Sequence, residues 1–252
     1  MEQQQQQQTG AEKYKRRRPG PQKRRPISRR HKENIAKMER TKFYTLSDAV
    51  QLLKNLKGAK FDETIAVVMK LGVDPKKSDQ LLRGSVSLPK GIGKTVKVLA
   101  FAEGDLAEQA KAAGADVVGG KELVDKIQSE NWMDFDIAVA HPSMMRYVGK
   151  LGKILGPKGK MPSPKSGTVN ENIAQAVKEF KSGRVEYRTD SGGNVHAPVG
   201  KKGFSVEDLI ANIDAFVEHI RSIKPSTSKG VYLQKVGIVS TIGPYIPIEV
   251  KR

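Results

Sequence analysis

The hydrophobic pattern changes grammar twice along the chain. From Leu46 to Leu56 apolar residues fall at 49, 52, 53 and 56, behind a capping Ser47 and before Gly58, a spacing that predicts an amphipathic helix. Phe61, Ile65, Val67, Met69 and Leu71 then share one parity against Asp62, Thr64 and Lys70 on the other, the alternation of a half-buried strand. Leu82 to Leu88 alternates again until Pro89 and Gly91 end it, so these two runs are expected to pair like a hairpin.

From Val96 the apolar runs become continuous, with short helical stretches between them. Strands are expected at 96–102, 115–118 and 135–140, and helices at 106–113 and 121–127, with a further helical start at Pro142. That alternation implies a parallel sheet with helices on its faces. Lys150 to Lys165 is too rich in glycine and proline for regular structure, and a helix from Asn170 to Phe180 stops at Gly183.

After Gly183 alternation returns. Strands at 185–188 and 195–199 flank an Asp190-Ser191-Gly192-Gly193 turn, a long amphipathic helix runs from Val206 to Ile223, and Val231 to Thr241 is a last strand. Neither 41–91 nor 184–252 comfortably supplies a core alone. The expected architecture is therefore mixed α/β and α+β: a discontinuous two-layer α+β domain built from both flanks, interrupted by an α/β domain over 92–183. The chain crosses between them at Gly91-Ile92-Gly93 and Ser182-Gly183, and Gly91, Gly93 and Gly183 are the expected hinge.

Charge adds what periodicity cannot. The 252 residues carry a formal +18, with mean hydropathy −0.50 and no long apolar run for a membrane span. Residues 1–42 hold 14 lysines and arginines against 4 acids, over half of the excess. That stretch opens with Gln3 to Gln8 and has few large apolar groups, so 1–40 is expected to be a disordered basic extension, with order beginning near Thr41. Glu2, Glu12 and the lack of an apolar core there argue against a secretory signal. A field of this sign favours a polyanion, above all nucleic acid.

Enzyme chemistry finds little support. The absence of cysteine excludes disulfides, thiolate metal sites and cysteine nucleophiles. The turn after the 96–102 strand is Glu103-Gly104-Asp105, with no dinucleotide fingerprint and an acid where a pyrophosphate would sit. Gly93-Lys94-Thr95 resembles the end of a phosphate loop, yet Leu88 stands where the first glycine is required, and the triplet precedes a strand instead of following one. Histidines 31, 141, 196 and 219 form no metal or triad spacing, and Trp132, Met133 and Phe135 read as packing residues. No metal and no cofactor are expected. The rivals to a specific RNA-binding protein are an enzyme on the α/β insert and a generic basic RNA chaperone acting through its tail.

Two segments invite RNA. Lys150 to Lys165 carries five lysines and no acid, and its Lys153, Lys158, Lys160 and Lys165 are candidates for facing tRNA or rRNA. Val239 to Pro244 leads hydroxyls into a glycine at a strand end, where they could address phosphates and sugar 2′-hydroxyls.

Several motifs taken together resemble one family. Ala59-Lys60-Phe61-Asp62-Glu63-Thr64, Ser78-Asp79-Gln80 with Arg83-Gly84, Leu155-Gly156-Pro157-Lys158-Gly159 through Lys165, Tyr187-Arg188-Thr189-Asp190, Lys229-Gly230-Val231-Tyr232 and Ser240-Thr241-Ile242-Gly243 are similar, in this order, to the bacterial-type large-subunit ribosomal protein L-one family. The resemblance runs from about Thr41 to Pro244. It implies a split first domain that grips large-subunit rRNA, an inserted Rossmann-like domain on a flexible hinge, and a place in the mobile stalk beside the exit site. The implied partners are large-subunit rRNA, exit-site tRNA and the protein's own mRNA, whose translation it would repress, in a cytoplasmic ribosome and with no membrane. The RNA-facing positions it implies are Lys60, Phe61, Asp190, Thr241, Ile242 and Gly243. Ile242 replaces the family's usual methionine, keeping an apolar contact without the thioether's flexibility.

Overall fold

A computed structural model describes residues 27–39 and 41–249. The helices are α1 (Arg29–Ala36), α2 (Leu46–Asn55), α3 (Asp105–Ala112), α4 (Lys121–Glu130), α5 (Met145–Val148), α6 (Gly152–Leu155), α7 (Ile173–Lys181) and α8 (Val206–Ser222). The strands are β1 (Thr64–Leu71), β2 (Arg83–Ser87), β3 (Val98–Phe101), β4 (Val117–Gly119), β5 (Ile137–Ala140), β6 (Arg184–Arg188), β7 (Asn194–Lys201), β8 (Leu233–Ser240) and β9 (Ile246–Ile248). The chain thus has the expected mixed α/β and α+β architecture.

β1 is the hub of the first sheet, whose order is β7-β1-β8-β9, all antiparallel. Its alternation is strict: Ile65, Val67, Met69 and Leu71 are buried under α2 and α8, while the intervening residues are half-buried. β3 instead feeds two cores, because Leu99 and Phe101 enter one cluster and Val98 and Ala100 another. That two-sided burial is why its sequence is continuously apolar. β3 lies between β4 and β5 in a parallel sheet. The core under the first sheet draws on residues 38–88 and 185–248, and the two cores around β3 draw on residues 99–155 and 98–180.

Several expectations are corrected. Order begins before Thr41: Ser28 caps α1 by accepting the His31 N–H at 3.3 Å, and the buried Asn34 bonds both the carbonyl (2.9 Å) and the N–H (3.0 Å) of Lys57. Met38 joins the core below. The expectation of disorder for 1–26 lies outside the described residues. α2 is capped by Thr45, which accepts the Asp48 N–H at 3.3 Å, and not by Ser47. β1 and β2 do not form a hairpin, since β1 is taken on both sides by the equally long β7 and β8, and β2 pairs with β6. Residues 150–165 are not wholly irregular either. Leu151 and Leu155, four apart, are both fully buried, and that burial holds α6 helical through its glycine.

The two crossings touch. Fully buried Asn212 on α8 accepts the Lys90 N–H at 3.0 Å and donates to Gly91 O at 2.9 Å and Val199 O at 2.8 Å, seating the first crossing on that helix. Gly183 in the second crossing has φ +103°, and a Cβ there would stand 2.6 Å from the Gly91 Cα.

Candidate nucleic-acid interface

The segment before β1 and the segment after β8 meet at one end of the first sheet. Thr64 faces Lys201 across one ladder and Ile65 faces Ser240 across the other, so residues 58–63 and 241–243 emerge side by side. Phe61 is 57% exposed, with exposed Lys60 and Asp62 as its neighbours. It shares parity with Ile65 but not the strand, which begins only at Thr64, and the intervening bend turns the ring to the surface. An exposed phenyl ring beside a lysine suits a sugar or base face next to a phosphate.

The Thr241 hydroxyl is occupied within the protein, accepting the Thr64 N–H at 3.0 Å and lying 3.3 Å from Thr64 O. Gly243 packs closely: a Cβ there would stand 2.3 Å from Ser240 Oγ, which would have to turn away, and the Gly243 N–H donates to Ser240 O at 3.1 Å. Ile242 is half-buried in that turn. Lys201 Nζ donates to Thr64 Oγ1 at 2.9 Å and leads to a cavity of about 360 Å³ that Thr64, Lys94, Lys160, Arg184 and Glu186 also line.

Glu63 lies underneath at 1% exposure. Its Oε1 accepts the Ala59 N–H at 2.6 Å, and its Oε2 has no aligned hydrogen-bond partner. Burial pushes this carboxyl up, but the Ser240 hydroxyl, the Ala59 N–H, the Lys202 ammonium and the Ile242 N–H outweigh it and hold the group below the usual glutamate range. Sequence reasoning missed this residue. The signal was available: Glu63 is an acid on the inward parity of Phe61 and Ile65.

Asp190 does not join this cluster. β1 pairs Lys70 with Asn194, so the Asp190 turn lies at the opposite end of the sheet, roughly 20 Å from Thr64 at about 3.3 Å per residue. Its Oδ1 accepts the N–H groups of Gly192 (2.8 Å) and Asn194 (2.7 Å), and the Asn194 side chain bonds both oxygens. The Asn194 side chain, more than any other group, holds the Asp190 carboxyl below its ordinary range. Beside this turn opens a cavity of about 740 Å³, bordered by Lys70, Lys77 and Lys229.

The lysine-rich segment divides as well. Lys153, Lys158 and Lys165 are exposed, whereas Lys160 turns inward, donating to the carbonyls of Phe135 and Met133 and lying 5.0 Å from the Phe135 ring centroid. Among the described residues no three His, Asp or Glu side chains converge as a metal site, and no helix is long and apolar enough to cross a membrane.

Residues 52–244, which include both segments of this surface and the Asp190 turn, match the sequence profile of the ribosomal protein L1p/L10e family. The chain belongs to this family. It is 51% identical over 222 residues to the large ribosomal subunit protein uL1 of Kosmotoga olearia, covering 88% of this chain and 96% of that protein. The uL1 of Thermosipho africanus is 52% identical over 222 residues, with the same shares of each chain. The L1p/L10e family is one of structural ribosomal proteins and not of enzymes. The L1p/L10e match begins at residue 52 and leaves α1 outside it.

Proposed function

We propose that this chain, a protein of the large ribosomal subunit, binds large-subunit rRNA through the sheet end that carries Lys60, Phe61 and the Thr241–Gly243 turn. The observation that carries this reading is Phe61, a large apolar ring left 57% exposed beside a lysine in a chain of net charge +18. The exposed ring offers a partner apolar area to cover, and RNA offers ribose and base faces together with the phosphates that Lys60 would neutralise. The Asp190 turn, with Lys70 close by, supplies a second contact to an RNA long enough to span the sheet. Asp190 acts there by shaping the turn.

The same reading makes 41–91 with 184–252 the RNA-gripping domain, and 92–183 a Rossmann-like insert that moves about Gly91, Gly93 and Gly183. Exposed Lys153, Lys158 and Lys165 then give the insert a basic face for exit-site tRNA, and the protein's own mRNA, where it presents the same fold as the rRNA, competes for the first domain. Filter binding to structured large-subunit rRNA tests the core of it. Phe61→Ala should weaken cognate binding by about tenfold or more while random RNA is bound as before, and Lys60→Ala, which removes a phosphate contact, should weaken both. Equal binding by wild type and both variants would place the interface elsewhere.

A further inference from the structure

Two short segments make up the proposed RNA surface, and they are remote in sequence, one preceding β1 and the other following β8. Glu63 joins both. Its Oε1 takes the Ala59 N–H at 2.6 Å, closing the loop that displays Lys60 and Phe61, and the residues that follow it are tied to the second segment, the Thr241 hydroxyl accepting the Thr64 N–H at 3.0 Å and Ser240 standing opposite Ile65. The backbone is clamped alongside, since Lys202 N–H donates to Glu63 O at 2.8 Å and Lys202 Nζ to Leu56 O at 2.8 Å. Gly58 leaves room for the carboxylate: a Cβ there would stand 3.0 Å from Oε1 and 3.1 Å from Lys202 Nζ. An acid at 1% exposure, with one oxygen short of an aligned partner, is costly for stability alone.

We propose that Glu63 is a positioning residue for RNA recognition, whose buried carboxylate holds the Lys60-Phe61 loop and the Ser240–Gly243 turn in one fixed arrangement. The inference rests on the RNA reading above and says how that surface is kept ready. RNA then meets a preformed face and need not order two loops on binding. The charge state is essential because every group around the carboxylate is a donor. A glutamine has a single acceptor oxygen and no charge, so it cannot both accept the Ala59 N–H and answer the Ser240, Ile242 and Lys202 donors that favour the ionised carboxyl.

The test compares Glu63→Gln, Lys60→Ala, Phe61→Ala and the distant core variant Val50→Ala for affinity to a structured large-subunit rRNA fragment and to random RNA. Amide exchange is followed at Ala59 and Ile242. Glu63→Gln is expected to lower cognate affinity about tenfold, to leave random-RNA affinity unchanged, and to speed exchange at one or both of those amides while β1 stays protected. Val50→Ala is expected to lower the melting temperature without moving affinity, which separates positioning from stability. Should Glu63→Gln fail to fold, Gly58→Ala displaces the carboxylate by contact and should give the same pattern. Wild-type cognate affinity in Glu63→Gln, or in Gly58→Ala where that stands in, alongside weakened Lys60→Ala and Phe61→Ala, overturns the positioning role. Unchanged affinity in Lys60→Ala and Phe61→Ala overturns the RNA reading and this proposal with it.

Discussion

The hydroxyl of Thr241 bridges both backbone groups of Thr64, taking its N–H at 3.0 Å and reaching its carbonyl oxygen at 3.3 Å. A side chain thereby continues the β1–β8 ladder one step past the Ile65–Ser240 pair. Replacing it with valine keeps the shape and strands the Thr64 groups, at a cost of about 1 kcal/mol. Thr241→Val should lower the denaturant midpoint slightly and weaken RNA binding by loosening the turn, and Thr241→Ser should restore most of both. Should affinity fall while the Thr64 amide stays protected from exchange, the hydroxyl would be contacting RNA itself.

How much of this could be read from the chain depends on whether a residue's role was local. β1, α8 and the parallel β3 and β5 were legible because burial repeats along each with a fixed period. Glu63 was missed although its parity with Ile65 marks it as inward, and Phe61 departs from that parity because alternation is enforced only inside the strand, which starts at Thr64. The partner of β2 was illegible because pairing is a competition among strands, and β6 lies about a hundred residues away. α1 stayed hidden because its docking hangs on one polar residue, Asn34, within a run of charges that reads as solvated. Motif resemblance pointed to the segments of the proposed interface and could not say that the Asp190 motif lies at the sheet's other end.

The Asp190 turn should be sensitive to acid. Its carboxyl has a folded pKa below the ordinary aspartate value, so its contribution to stability is present above the unfolded pKa of about 3.9 and is lost as pH falls through the lower folded value. Proton titration followed by NMR should show the Gly192 and Asn194 amides shifting together in that acidic window. Asp190→Asn should abolish the transition. A turn whose amides move only with global unfolding would mean that the carboxylate does not hold it.

The crossing glycines make a graded comparison. Gly183 and Gly104 both have positive φ, +103° and +60°, but a Cβ at Gly183 meets the Gly91 Cα at 2.6 Å and one at Gly104 meets nothing within 4 Å. Gly104→Ala should therefore cost only the backbone strain of a φ/ψ pair, +60° and −138°, that glycine alone takes readily, about 1–3 kcal/mol. Gly183→Ala adds a backbone clash and should cost more, and it should shift the distance distribution between dyes on 41–91 and 92–183. Proline at Gly93 or Gly183 would not serve, because its φ is fixed near −65° and both positions are positive. Equal costs for the two alanines would mean that the crossings part freely, and an unaltered distance distribution would remove Gly183 from the proposed hinge.

The basic extension should contribute attraction without discrimination, and the place to cut it follows from α1. A truncation at residue 40 would remove Asn34 from Lys57 and Met38 from the core, confusing the effect of charge with that of structure. Removing residues 1–26 takes away eight lysines and arginines and two glutamates and leaves Ser28 to cap α1. Each phosphate that the extension neutralises should add about 0.9 to the steepness of log affinity against log salt on duplex-like RNA. The truncated protein should thus bind random RNA more weakly and with a flatter salt dependence, while its preference for cognate rRNA over random RNA survives, because that preference is assigned to Lys60, Phe61 and the Thr241–Gly243 turn. Titrations at several salt concentrations measure both quantities. Disappearance of the preference on truncation would move specificity from the sheet end to the extension.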